Sequence, residues 1–156
     1  EYVARARRTP LSGPIAADAE EVLGRYFGLL RRDASRAQWA TGGSADDVVT
    51  IRLLEGLIRL SEAHARVLCH DCVVVEDVVA VIFLHQLALR SAGGVSGGLF
   101  LIPDSFGMMS PDRLRRLDME SDLACWEDYR IVELAVLRAL KLRRDRRTGD
   151  IVTSSG

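Results

Sequence analysis

Thr50-Ile51-Arg52-Leu53-Leu54-Glu55-Gly56-Leu57-Ile58-Arg59-Leu60-Ser61-Glu62-Ala63-His64-Ala65-Arg66 is the stretch on which the fold turns. Ile51, Leu54, Ile58, Ala65 and Leu68 recur in steps that fall on one side of an α-helix, and Leu53, Leu57 and Leu60 make a second apolar line. Two lines predict a helix over about Val48 to Leu68 that is packed from two sides. Its polar positions are Arg52, Glu55, Arg59, Glu62 and Arg66, several of them three or four apart. Opposite charges at that spacing can pair for a few tenths of a kcal/mol each.

Working outward, Cys69 to Val74 is a short connection, and Val73-Val74-Val75 can form a brief extended piece. A helix is then expected from about Val75 to Leu89, with Glu76 and Asp77 suited to its positive N-terminal end. On the other side, Ala37 to Asp47 reads as a flexible loop around Thr41-Gly42-Gly43-Ser44. Before it, Ile15, Ala19, Val22, Leu23, Tyr26, Phe27 and Leu30 form the apolar face of a first helix. That helix is entered at Ser12 and Pro14 and fades near Arg32 to Ser35. Glu1 to Pro10 reads as an exposed basic lead-in.

Gly93-Gly94 and Gly97-Gly98 mark a boundary. Beyond it, Ser110-Pro111 opens a helix or broken pair of helices over Asp112 to Leu142, with Trp126, Tyr129, Val132, Val136, Leu137 and Leu140 on the apolar side. The expected fold is all-α. Three helices bundle over residues 1–91, a Gly-rich linker covers 92–110, one or two helices fill 111–142, and a disordered tail occupies 143–156.

Composition excludes several classes. Apolar residues are 48% and charged residues 28% of the 156, which is globular, and the formal net charge is −1, so the chain is no polycation. The basic residues are almost all arginine, with Lys141 the only lysine. Their spread along the chain fits coding bias better than one phosphate-binding patch. Three cysteines, Cys69, Cys72 and Cys125, point to a reducing compartment rather than a disulfide framework. No apolar run reaches the roughly 20 residues a membrane helix needs. The first residue is Glu1, not Met, so the chain is expected to begin partway through a larger protein.

The quoted stretch resembles the lid signature of the minichromosome maintenance (MCM) DNA helicases, which runs from a Thr-Val-Arg-x-Leu-Glu start into Ile-Arg-Leu-x-Glu-Ala-x-Ala. Tyr2-Val3-Ala4 with Arg7 resembles the entry to that lid. Leu11-Ser12, Tyr26-Phe27 and Leu29-Leu30-Arg31 resemble its first helix, and Val73 with Glu76-Asp77 resembles the entry to its last. The likeness spans Glu1 to Leu89. Gly93-Gly94, Ser105-Phe106 and Tyr129 to Leu142 are similar to the stretch after the lid in the ninth, repair-linked branch of the family, although this chain has extra residues between Phe106 and Tyr129. Val74 stands where relatives tend to carry a capping threonine.

The resemblance implies a three-helix AAA+ lid within a nuclear, ATP-hydrolysing motor of DNA replication or recombination repair. It implies sister MCM subunits in a hexameric ring, ATP and Mg at their interfaces, and DNA in the channel. It makes Arg52 the sensor-2 arginine, acting on a neighbour's nucleotide, with Glu55 and Arg59 in support. An arginine suits that task because it stays charged and its planar fork matches phosphate oxygens. Spacing alone would instead pair Arg52 with Glu55 or Glu62 on the surface. The sequence has no Gly-x-x-x-x-Gly-Lys-Ser/Thr phosphate loop, so the chain by itself is not expected to hydrolyse ATP.

Three further groups invite readings. Cys69-x-x-Cys72 with His64 and His70 has the ligand types of a zinc site, but lacks a second matching pair, so small buried thiols and no metal are the expectation. His85, among apolar neighbours, reads as packing. Lys141, Arg143, Arg144, Arg146 and Arg147 can meet DNA phosphates, serve as a nuclear address, or form a solvated tail. The competing function is a non-catalytic helical module that binds protein or DNA. A winged-helix version of it would need Gly149 to Thr153 as its β-wing.

Overall fold

The computed structural model describes residues 2–8, 11, 13–41, 49–91 and 122–154. Five helices and one small sheet lie within them: α1 (Tyr2–Arg8), α2 (Ala17–Thr41), α3 (Ile51–Leu68), α4 (Val75–Ser91), α5 (Asp122–Ala139), β1 (Leu142–Arg144) and β2 (Ile151–Thr153). The architecture is predominantly helical, as the periodicity implies.

Several boundaries differ from expectation. The lead-in is a short helix, α1, which lies on α3, buries Ala6 and donates from the Tyr2 hydroxyl to the Val67 carbonyl. Helix α2 does not fade near Arg32 to Ser35 but runs to Thr41. The reason lies in composition: residues 34–40 contain three alanines and no glycine or proline, and the first breaker is Gly42. The Gly-rich linker, Ser110-Pro111 and the start of the expected C-terminal helix lie outside the described residues.

Helix α3 buries one face rather than two. Leu57, Ser61 and Ala65 are buried, Leu53, Leu54 and Ile58 are half-buried, and Ile51, Leu60 and Leu68 are exposed. Ser61 fits inside because its hydroxyl donates to the Leu57 carbonyl at 2.9 Å. The helix closes with Cys69 in the left-handed region, φ 58°, its N–H on Arg66 O and the His70 N–H on Ala65 O. That closure usually takes glycine, so Cys69 carries a local backbone cost of about 1 kcal/mol.

Helix α4 opens on half of a reciprocal cap. Asp77, three residues after Val74, accepts the Val74 N–H at 3.0 Å through Oδ2, but Val74 has no side-chain oxygen with which to return the bond. Val74→Thr is therefore expected to raise stability by about 1 kcal/mol, read as a higher denaturant midpoint at unchanged slope. An unchanged or lower midpoint would show that the half-buried valine contributes more through packing than a cap would.

The segment expected to be a disordered tail is instead an antiparallel hairpin. Leu142 lies opposite Thr153 and Arg144 opposite Ile151. Leu142 and Ile151 are buried. The turn is built by Asp145 and Gly149: Gly149 N–H bonds Asp145 O at 3.0 Å, and Gly149 has φ +81°, where a side chain would be strained. Lys141, φ 57°, turns the chain out of α5 into β1.

One core joins all of this. Val22, Leu23 and Tyr26 from α2, Leu57 and Ala65 from α3, Val78 and Ile82 from α4, Val136 and Leu137 from α5, and Leu142 and Ile151 from the hairpin belong to a single cluster. Each large side chain in it contributes roughly 1.5–3 kcal/mol of burial. The C-terminal unit is thus packed onto the bundle. Tyr129 lies against the same core, as its helical spacing suggested, while the side chain of Trp126 lies outside the described set.

Candidate functional site

Arg52 sits in the first turn of α3, two residues after Thr50, the residue at which the helix begins. It is exposed, and among the described residues nothing accepts a hydrogen bond from it or pairs with its charge. The surface pairing with Glu55 or Glu62 does not form: Glu62 faces Arg66 at 3.6 Å, and Glu55 and Arg59 are both exposed without an ion pair among the described residues. The first turn of α3 has no acidic residue, and Thr50 makes no side-chain cap. A cation at the positive end of a helix opposes the macrodipole by roughly 0.3–1 kcal/mol. Local stability therefore does not account for Arg52 at this position. What the arrangement can do is present a guanidinium and unbonded helix N–H groups to an anion supplied from outside.

Behind α3, the two histidines of the suspected zinc set turn elsewhere. His64 Nδ1 lies 2.7 Å from Asp77 Oδ1 and His70 Nδ1 lies 3.0 Å from Asp77 Oδ2. The Asp77 carboxylate is fully buried. With the Val74 N–H it receives three bonds, fastening the C-terminal part of α3, the following loop and the start of α4 together. Cys69 and Cys72 are free thiols, and among the described residues no group of three or more side chains is placed to hold a metal ion.

A second buried network joins α2 to α4. The Tyr26 hydroxyl accepts from Gln86 Nε2 at 2.6 Å and meets His85 Nδ1 at 2.7 Å. With a neutral imidazole whose Nδ1 carries no proton, the Tyr26 hydroxyl donates to His85 while accepting from Gln86. Burial pushes the Tyr26 hydroxyl up to about 12, partly offset by the Gln86 bond, and burial lowers His85 below its ordinary 6.5. His85 is thus a packed residue with a partner. The sign of its pH effect follows: below 6.5 the unfolded chain binds the proton that folded His85 resists, so stability present above 6.5 is lost as pH falls through the folded value. Thermal melts should fall more steeply on acidification below pH 6.5 for the native sequence than for His85→Asn, which keeps an acceptor near Nδ1 but does not titrate. Parallel curves for the two would remove His85 from the acid response.

The basic C-terminal set divides. Lys141, Arg143, Arg146 and Arg147 are exposed, with no ion pair among the described residues. Arg144 is held by Glu133 at 2.5 and 2.9 Å, by Glu76 at 3.2 Å and by Gly149 O at 3.2 Å. It fastens the hairpin to α4 and α5 while remaining exposed. Sequence reasoning missed this clamp and the Asp77 hub. The clamp had no local signal, since its partners lie 11 and 68 residues away. The hub had one: an aspartate three residues after the last extended position.

The helical bundle that carries Arg52 covers most of a region matched by a known domain family. The chain belongs to the MCM AAA-lid family, whose domain model, the MCM AAA-lid domain, matches residues 1–89. It is also similar to an Arabidopsis thaliana protein described as "Probable DNA helicase MCM9", at 32% identity over 93 residues, which are 60% of this chain and 12% of that protein. The chain therefore spans a small part of the length of that relative. No solved structure gives a significant match.

Proposed function

We propose that this chain is the lid of an ATP-driven DNA helicase subunit, and that Arg52 is its sensor-2 arginine, offered to ATP bound by a neighbouring subunit. The family supports the lid, the relative's description supports the motor, and the single observation that carries the role of Arg52 is its exposure at the head of α3 without a partner among the described residues. During phosphoryl transfer, negative charge spreads over the γ-phosphate oxygens. A guanidinium fixed on a packed helix meets that charge with two parallel N–H donors and needs little reorganisation. Glu55 and Arg59, one and two turns further along α3, extend the same exposed face. In this reading they orient Arg52 once a neighbour desolvates the face.

ATP would be the substrate of the assembled ring. Arg52 fits the phosphate end of it. The sequence has no phosphate loop, so Mg and the triphosphate would be held by other parts of the parent. The partners are other MCM subunits in a hexameric ring with DNA in its channel, the compartment is the nucleus, and the process is replication or recombination repair. The test is ATP hydrolysis by full-length assembled subunits carrying Arg52→Ala. Loss of turnover with assembly intact is expected, whereas native turnover would end the assignment.

A further inference from the structure

The basic residues after α5 have no part in the lid reading, yet the structure arranges them deliberately. Residues 141–150 contain five cations and two acids, net +3, in a chain whose overall formal charge is −1. Arg144 is consumed in holding the hairpin, together with the Ile151 N–H on Asp18 Oδ2 at 3.1 Å and an Arg25 guanidinium N–H on Leu140 O at 3.3 Å. Asp145 is consumed at the tip. Its carboxylate accepts the backbone N–H of Arg147 at 2.7 Å and of Thr148 at 3.4 Å. These bonds hold it below the usual carboxylate range, ionised but aimed at the backbone. The exposed cations of the segment without an ion pair among the described residues are Lys141, Arg143, Arg146 and Arg147.

A second observation adjoins the first. A cleft of about 230 Å³ lies between α2 and the turn from α5 into β1, lined by Arg25, Leu29, Arg32, Asp33, Leu140 and Lys141 among others. It sets three cations against one acid. Arg25 also bonds Glu21 at 2.6 Å and Arg32 reaches Gly28 O at 3.3 Å, so both are oriented while keeping guanidinium donors to spare. Lys141 belongs to both features and joins them.

We propose that the hairpin and this cleft form a binding face for the phosphate backbone of DNA that does not read base sequence. A cleft of this size takes a phosphate-sized group, and several separate exposed cations on the adjoining hairpin suit a ligand with one negative charge per repeat. The choice of DNA over an acidic protein rests on the DNA-motor reading above. The cation placement does not.

The experiment uses the 156-residue chain and labelled single-stranded and duplex oligonucleotides, followed by fluorescence anisotropy without ATP. The four hairpin cations alone predict, for duplex, a slope of log affinity on log salt of about −3.6, a loss on the order of 100-fold between about 50 and 200 mM salt, and Arg25 and Arg32 would steepen it. Lys141→Glu with Arg143→Glu should weaken binding at least about 10-fold and make the slope shallower by about 2. Arg25→Ala with Arg32→Ala should weaken it separately. Melting curves check that each variant folds. The proposal is overturned by no binding of either oligonucleotide at low salt, or by native binding in the charge-reversed protein. It is also overturned if polyglutamate competes as well as DNA, which would assign the face to an acidic protein. Inorganic phosphate competing beyond its ionic strength would reduce the site to a single-anion pocket. Failure here leaves the ATPase test of Arg52 untouched, and the converse holds.

Discussion

Asp77→Ala is expected to destabilise the chain by about 3 kcal/mol, a fall in melting temperature of roughly 10 °C. The carboxylate is fully buried and receives the Val74 N–H and the Nδ1 groups of His64 and His70. Removing it leaves a helix-starting N–H without an acceptor, and a lost cap costs about 1 kcal/mol. It also strands two imidazole donors and opens a small void, each with a further cost of order 1 kcal/mol. The histidines are about one-third exposed, at 31% and 33%, so water can replace part of what each loses. His64→Gln and His70→Gln should therefore each cost about 1 kcal/mol, and the double variant less than Asp77→Ala. Equilibrium denaturation of the four variants decides it. A loss below about 1 kcal/mol for Asp77→Ala would mean that the three donors find other acceptors, and that α3 and α4 do not depend on this carboxylate for their junction.

The two networks show what a one-dimensional reading can and cannot reach. The face of α2 through Val22, Tyr26 and Leu30 was legible because helical periodicity is a local property, and all three residues are buried. So was the lid stretch as a helix. The two apolar lines of α3 misled in part. Ile51 and Leu68 from the first and Leu60 from the second obey helical spacing yet face solvent, since periodicity reports which residues share a side and not whether another element covers it. The hairpin was misread for a related reason. Its two strands are three residues each, too short for alternation to stand out among arginines, and their buried members, Leu142 and Ile151, depend on a core supplied by α2 and α5. Arg144 could not be separated from its neighbours in sequence, because its partners Glu76 and Glu133 are brought to it only by folding. For the candidate site, the motif located Arg52, while spacing alone argued for a salt bridge that the structure does not contain. Glu62 sits four residues before Arg66 and ten after Arg52, so the shorter link wins.

Arg52→Ala in the assembled motor is expected to lower the turnover number for ATP by about 100- to 1000-fold, with a much smaller change in KM. The asymmetry follows from where the charge develops. Phosphate oxygens of bound ATP are already neutralised in large part by whatever holds the triphosphate, whereas the transferring group gains its need for an additional cation in the transition state. The same substitution in the isolated chain should leave the melting temperature unchanged or raise it slightly, because Arg52 has no partner among the described residues and opposes the dipole of α3. Arg52→Lys separates charge from geometry. It keeps the cation but loses the planar fork, so it should recover only a small part of the rate. Mixed rings test whether the arginine acts across an interface. Arg52→Ala subunits combined with subunits unable to bind ATP should regain part of the hydrolysis, since the interfaces that set the intact nucleotide site of the first against the intact arginine of the second are complete. If mixing restores nothing while each parent assembles normally, Arg52 serves its own subunit, and the exposed end of α3 does not face a neighbour.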